Sequence, residues 1–314
     1  MKVPPFFQLY ILPLHKIGCA STKKVSFLCL QLALPLQKIG CASTKKVNFL
    51  CTCIKIEKMK YAIIAAGQGS RLSSEGVSLP KPLVKVGNEC LIDRLLRIFV
   101  ANHADEIIVI CNEEMINVQT HLRAIQQKGL NGVPIALKIV IRSTPSSMHS
   151  LAEMCPLLED APFCLTTVDA IFEEDTFMTY VQEFKKALQQ GVDAYMGVTK
   201  FVDDEKPLFV ETDESMRVLG FHDEGSVRYK YVSAGIYGLH PHIFDILQRC
   251  IQRGEQRMRN FQRALIGEQC TVMAHDMGQV LDIDHLSDVA KAEAFLRKST
   301  SQTKDKYQEL DRYI

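Results

Sequence analysis

Gly67-Gln68-Gly69, Arg71 and, nine residues further on, Pro80-Lys81 set two glycines and two permanent cations of different shape around one turn. The turn closes an apolar run, Tyr61 to Ala66, in "YAIIAAGQGSRL". In a parallel α/β sheet ligands sit beyond the carboxyl ends of the strands, so a strand running out into glycine offers backbone N–H groups there at close approach. Phosphate is the ligand such a turn suits, and three phosphate-binding patterns must be separated. The dinucleotide fingerprint fails because Leu72 stands where its third glycine belongs, and the Walker pattern fails because no Gly-Lys-Ser/Thr follows. What remains is AAGxG[ST]R[LM] followed by PK. Arg71 can fork onto a pyrophosphate, and Lys81 can act as a point charge on a single phosphate. A surface arginine and lysine in a mobile loop is the bland alternative, which the full pattern argues against. Neither Lys81 nor the later Asp169 is expected in the core.

The elements that must hold this turn read as α/β. Apolar runs at Tyr61–Ala66, Glu106–Cys111, Ile135–Ile141 and Phe163–Val168 have the texture of buried parallel strands. Helical periodicity separates them at Leu91–Val100, Met115–Gln127 and Met148–Leu158, and continues at Asp175–Leu188. The texture then changes to short strands with turn residues between, "AYMGVTK", "LFVET", "MRVLGF", "VRYKYV" and "GIYGL", which predicts an antiparallel meander grafted onto the sheet. Helices at Pro241–Ile251 and Arg257–Ile266, the segments "CTVMAH" and "GQVLDI", and a closing helix from Leu286 to Arg297 complete one domain, 59–298. The polar tail 299–314 reads as frayed, or as helical by itself.

Composition sets the surroundings. The net charge of +1 gives no case for a nucleic-acid or membrane partner, yet it hides an asymmetry. Residues 1–58 carry nine lysines against one acid, which leaves 28 basic and 35 acidic residues in the rest. That first segment holds "LPLHKIGCASTKKVSFLC" and, 22 residues later, "LPLQKIGCASTKKVNFLC". Two near-identical copies are too few for a repeat fold, and their differences suit a recent duplication. Residues 1–58 are therefore read as translated upstream sequence outside the fold, with Met59 as the natural start. A targeting segment fits less well, because Lys16 interrupts the approach to Cys19 and the apolar runs of about 12 residues are too short for a bilayer. Six of the 11 cysteines follow Met59 without CxxC spacing, as buried thiols of a reducing, cytoplasmic setting would.

The signature "IIAAGQGSRL…PKPL", with "LIDRLLRIF", "SAGIYGL" and "DIDHLSDVAKAEAFL", resembles the nucleotidyltransferases of the sugar-phosphate and MobA-like group over residues 60 to 297. The resemblance implies a Rossmann-like three-layer αβα sandwich of the GT-A type, with a mixed, mainly parallel sheet. It implies transfer of a nucleoside monophosphate from an NTP to a phosphorylated acceptor, a sugar 1-phosphate by preference, releasing pyrophosphate. Arg71, Lys81 and Asp169 would be catalytic, and Ala65, Ala66, Gly67, Gln68, Gly69, Ser70, Ser146 and Ser147 would bind the nucleotide. Gly235 of "SAGIYGL" would lie at the acceptor. Mg²⁺ would be held by Asp169 and by an acid of "DID", where alternation puts Asp282 and Asp284 on one face and the resemblance favours Asp284. Asp169 as a turn cap and Asp284 as a helix cap are the plain alternatives.

Departures narrow the reading. Val168 stands before Asp169 where many relatives carry glycine, the loop "STPSSMHSL" lacks the GTAGA form, and "GFHDEG" occupies the usual place of an EKP element, with Glu205-Lys206-Pro207 lying earlier. His149 reads as a packing or capping group. Arg257, Arg259 and Arg263 read first as a solvated basic face and second as a receiver for an acidic acceptor. The rivals are a cytidylyltransferase acting on phosphocholine or another alcohol phosphate, a GT-A glycosyltransferase, and a binding module without chemistry. An NTP and a small phosphorylated acceptor are the expected partners, and a homo-oligomer is compatible with them.

Overall fold

The apolar run before the glycines becomes β1 (Lys60–Ala65), buried along its whole length. The turn leads into the short helix α1 (Ser70–Ser74), a single 3₁₀ turn at Lys81–Leu83 and a small hairpin, β2 (Lys85–Val86) with β3 (Glu89–Cys90). Strand and helix then alternate through α2 (Leu91–Ala101), β4 (Glu106–Cys111), α3 (Ile116–Lys128), β5 (Leu137–Ile141), α4 (Ser147–Leu158) and β6 (Phe163–Thr167). The two-residue β7 (Ala170–Ile171) precedes α5 (Glu174–Gln189). After β8 (Ala194–Thr199), β9 (Phe209–Thr212), β10 (Val218–His222) and β11 (Tyr231–Leu239), the chain forms α6 (Phe244–Gln252), α7 (Met258–Gly267), β12 (Val272–Asp276), β13 (Leu281–Asp282) and α8 (Leu286–Leu310).

This computed structural model describes residues 58–202 and 206–310, with side chains up to Lys298. The repeat-bearing extension as far as Glu57, Glu205 of the Glu205-Lys206-Pro207 element, and residues 311–314 of the polar tail lie outside the described residues.

β1 is the axis of the sheet, parallel to β4 on one side and to β6 on the other, with β5 parallel beyond β4. Its pleat explains the unbroken apolar run, because both faces are covered. Tyr61, Ile63 and Ala65 enter a core shared with α2, α3 and α5, while Ala62, Ile64 and Ala66 enter a second core shared with α4, α6 and α7. The result is the expected three-layer αβα sandwich with a mixed, mainly parallel sheet.

The expected antiparallel meander joins the main sheet directly. β11 runs antiparallel to both β6 and β8, and β12 extends the sheet in parallel beyond β8. "VRYKYV" and "GIYGL", read as separate strands, form the single strand β11 from Tyr231 onward, while Val227 is fully exposed before it. The apparent break is a bulge: the β11–β8 register slips between Ser233 and Ile236, and Gly235 takes φ 69° there. The closing helix, expected to stop near Arg297, runs on to Leu310.

Candidate active site

Gly69 ends the phosphate-type turn in left-handed conformation, φ 61° and ψ 36°. A side chain there would also bring its Cβ to 3.1 Å from the Cβ of Lys81. Backbone sign and close approach thus demand glycine at one position. Pro80, at φ −61° and ψ 143°, delivers the chain into the 3₁₀ turn, and Lys81 ends almost wholly enclosed, 8% exposed. That corrects the expectation that it lies outside the core: the lysine threads between the glycine turn and two acids.

Those acids are Asp169 and Asp284. The Lys81 ammonium donates to Asp169 Oδ2 at 2.6 Å and to Asp284 Oδ1 at 2.7 Å, while Arg71 Nη1 donates to Asp284 Oδ2 at 2.8 Å. Asp169 arrives because it follows β6, the parallel neighbour of β1. Asp284 arrives through a ribbon: β13 pairs antiparallel with β7, matching Asp282 to Ala170, and the Ile283 N–H donates to the Asp169 carbonyl at 3.2 Å. Asp282 is exposed and lines a separate small cavity with Thr199 and Ser233, so of the two candidates only Asp284 joins Lys81. Nor does Asp284 cap α8. Asp288 Oδ2 accepts from the N–H groups of Asp284 and His285 at 3.2 and 2.8 Å, and Glu75, just past α1, accepts from Leu286 N–H at 2.7 Å and pairs with His285 Nδ1 at 2.6 Å. Capping by others leaves the Asp284 carboxylate to the cations.

The electrostatics are those of a shared charge. Burial opposes the charge on Lys81, but Asp169 and then Asp284 outweigh it and raise its pKa above the ordinary lysine value. Burial likewise opposes ionisation of Asp169, and Lys81 outweighs it and holds the carboxyl below the usual range. Asp169 Oδ1 is buried without a hydrogen-bond partner among the described residues. An orphaned carboxylate oxygen beside a second carboxylate fits a hard cation such as Mg²⁺, which takes oxygen ligands.

These groups line one cleft of about 840 Å³, whose walls include Ala66, Gly67, Gln68, Gly69 and Ser70 on one side and Ser146 and Ser147 on the other. Ser146 is the N-cap of α4, and its hydroxyl contacts His149 Nδ1 at 2.9 Å, so His149 serves the cap. Two expected site residues stand behind the wall. Ala65 is fully buried, because strand alternation turns it into the core. Gly235 is separated from the cleft by Thr167, whose Oγ1 would lie 3.2 Å from an added Cβ. Sequence reasoning missed Asn112 and Thr167. Asn112, buried at the carboxyl end of β4, accepts from Ser143 Oγ at 2.9 Å and lines the cleft. Its position directly after "IIVIC" was the available signal, the same strand-end logic that marks Asp169.

Comparison with known proteins adds the following. The family described as nucleotidyl transferase matches residues 60–304. A mannose-1-phosphate guanyltransferase of Yarrowia lipolytica is 25% identical over 192 residues, 60% of this chain and 51% of that protein. An N-acetylmuramate alpha-1-phosphate uridylyltransferase of Caulobacter vibrioides is 30% identical over 177 residues, 52% of this chain and 62% of that protein. The chain thus spans between about half and two thirds of the length of these relatives. Among solved structures, the inositol-1-phosphate CTP transferase from T. maritima shares the fold with a TM-score of 0.62 at 17% identity, covering 76% of this chain and 96% of that one.

Proposed function

This chain belongs to the nucleotidyl transferase family, and on that premise we propose that it transfers a nucleoside monophosphate from an NTP to a phosphorylated acceptor, most simply a sugar 1-phosphate. One observation carries the reading: Lys81, Asp169, Asp284 and Arg71 converge in a single network at a glycine-floored cleft of about 840 Å³. The Yarrowia and Caulobacter relatives carry names of this class, a guanyltransferase and a uridylyltransferase acting on sugar 1-phosphates.

In this reading the backbone N–H groups of the Gly67–Ser70 turn receive the triphosphate, and Arg71 forks onto the β- and γ-phosphates that will leave. Lys81 turns its ammonium from the two aspartates toward the α-phosphate and the acceptor phosphate. An acceptor phosphate oxygen attacks the α-phosphorus, the bond to the bridging oxygen breaks, and pyrophosphate departs with its electron pair. No protein nucleophile is required, and rate comes from alignment and charge neutralisation. Asp169 and Asp284 would hold Mg²⁺, which supplies neutralisation of the triphosphate oxygens when bound. Ser146 and Ser147, with Asn112 across the cleft, are the candidates to meet the base. The buried free cysteines Cys90, Cys111, Cys155, Cys164 and Cys250 suit a reducing compartment such as the cytoplasm; among the described residues no helix is long and apolar enough to cross a membrane.

Pyrophosphate release tests the reading, with each NTP and dTTP offered against pooled sugar 1-phosphates and pooled alcohol phosphates. Release that needs one nucleotide, one pool and Mg²⁺, and that stops with EDTA, is the expected result. Release with the alcohol phosphates alone would shift the acceptor to that class. Sugar transfer from an NDP-sugar without pyrophosphate would overturn the reading in favour of a glycosyltransferase.

A further inference from the structure

Outside the cleft, three side chains of metal-ligand type meet between α2 and α3. Cys90 is the N-cap of α2 and Asp93 lies in its first turn, so a spacing of three puts both on one face of the helix start. His121 reaches them from α3. Its Nε2 stands 4.0 Å from Cys90 Sγ and 2.6 Å from Asp93 Oδ1, and all three ligand atoms lie within 4.8 Å of one another. None of the three lines the reaction cleft.

Thiolate, imidazole and carboxylate together are donors that Zn²⁺ accepts, whereas Mg²⁺ takes oxygen ligands. With Zn–S at about 2.3 Å and Zn–N or Zn–O at about 2.0–2.1 Å, tetrahedral ligand atoms stand about 3.3–3.6 Å apart. The sulfur–nitrogen edge here must close and the nitrogen–oxygen edge must open, each by less than about 1 Å, to reach those separations. Cys90 is buried, while the Asp93 and His121 side chains are 25% and 34% exposed, which gives an ion a way in and leaves the fourth position to water. In the metal-free chain, burial pushes the Cys90 thiol up to about 12, and His121 and Asp93 are joined by a hydrogen bond. Zn²⁺ deprotonates a coordinating thiol outright, so binding sends the Cys90 proton to solvent and puts the metal in place of the proton between His121 and Asp93. The pH dependence of the His121–Asp93 pair thus belongs to the chain with the ion removed.

We propose that Cys90, Asp93 and His121 bind one Zn²⁺ ion, with water as its fourth ligand, and that this ion staples α2 to α3. Each helix anchors a wall of the cleft. Leu91 N–H at the start of α2 donates at 3.0 Å to the carbonyl of Val84, which closes the Lys81 turn. Gln119 of α3 donates to the carbonyls of Asn112 and Glu113 at 3.1 and 2.9 Å. The staple therefore joins the supports of Lys81 and Asn112 without touching the reacting groups, and it stands independently of the nucleotidyl-transfer reading.

Co²⁺, a spectroscopic stand-in for Zn²⁺, tests the proposal on the reduced full chain, with excess Mg²⁺ to fill sites made of oxygen ligands. The expected result is a thiolate-to-cobalt charge-transfer band in the near ultraviolet, bleached by Zn²⁺. Five cysteines precede Met59 and can contribute bands of their own, so the deciding quantity is the difference between wild type and Cys90→Ser. Cys90→Ser should lose one equivalent of bound Co²⁺, and His121→Gln should weaken that equivalent at least tenfold. Zn²⁺ should raise the Tm of the wild type but not that of Cys90→Ser, and a zinc-selective chelator should reverse the rise. Asp93→Asn, which keeps the shape of a part-exposed side chain, replaces the serine variant if that chain fails to fold, and it too should bind at least tenfold more weakly. No band in the wild type, or a band and a Tm rise undiminished in the folded variants, would overturn the proposal.

Discussion

At the scale of the residue, Lys81 has two tasks that substitution can separate. It neutralises two acids in the resting site and, in the proposed reaction, a phosphate. Lys81→Met should lower kcat by about 10²–10³-fold, the range for losing one electrostatic stabiliser. It should also cost about 3 kcal/mol, at the lower end for breaking a buried pair, because Asp284 is 40% exposed. Combining it with Asp169→Asn should return most of the Tm and none of the activity. Steady-state pyrophosphate release and thermal melts check both halves; a double variant that regains turnover would remove Lys81 from the chemistry. Arg71, Lys81, Asp169 and Asp284, singled out in the sequence because strand ends and glycine turns leave local marks, meet in the structure. The burial of Lys81 was not legible, since it depends on Asp169 and Asp284, 88 and 203 residues away. The burial of Ala65 was not legible from the motif alone, which ignores the pleat that turns alternate residues inward.

At the scale of the element, the turn and the helix pairs make separate tests. Gly69→Ala should cost about 1–2 kcal/mol for a left-handed alanine. It should also raise the KM for the NTP, because the new methyl, 3.1 Å from the Lys81 Cβ, pushes on the lysine. Urea melts and nucleotide titrations measure the two effects. A pH test lies between α2 and α3, where His121 Nε2 meets Asp93 Oδ1 at 2.6 Å. That hydrogen bond raises the His121 pKa above its ordinary value against the pull of burial. The native state therefore holds the proton more tightly than the unfolded chain. The contribution is complete below about pH 6.5 and is lost as pH climbs through the raised native value. Wild-type stability should fall more than that of His121→Asn between about pH 6 and pH 9, read as urea midpoints. Parallel slopes would show that the bond contributes nothing. The strand–helix alternation up to β6 was readable from apolar runs, as two-sided burial predicts. The merger of two apparent strands into β11 was hidden because Gly235 reads as a break in sequence and is a bulge in the sheet. The β7–β13 ribbon was hidden for another reason, since two residues carry no periodicity.

At the scale of the whole molecule, Met59 is buried and its N–H donates to Asp105 Oδ2 at 2.6 Å. We propose that the repeat-bearing segment before it is dispensable. A chain begun at Met59 should keep the urea midpoint and pyrophosphate rate of the full chain, and a lowered midpoint would assign the segment a share in the fold. The family and the fold class were legible at this scale; the acceptor was not, because "GFHDEG" stands where a local motif would mark it. The ribbon that carries Asp284 to Lys81 also dictates an order of events during synthesis. A ribosome delivers the chain from its N-terminus at about 5–20 residues per second. The glycine turn, Lys81 and Asp169 emerge first, and Asp284 follows 115 residues behind Asp169, after β8, β11 and β12. Until it emerges, Lys81 has a single carboxylate and Arg71 lacks its Asp284 contact, so a nascent or truncated chain ending before β13 has the nucleotide turn but not the completed charge cluster.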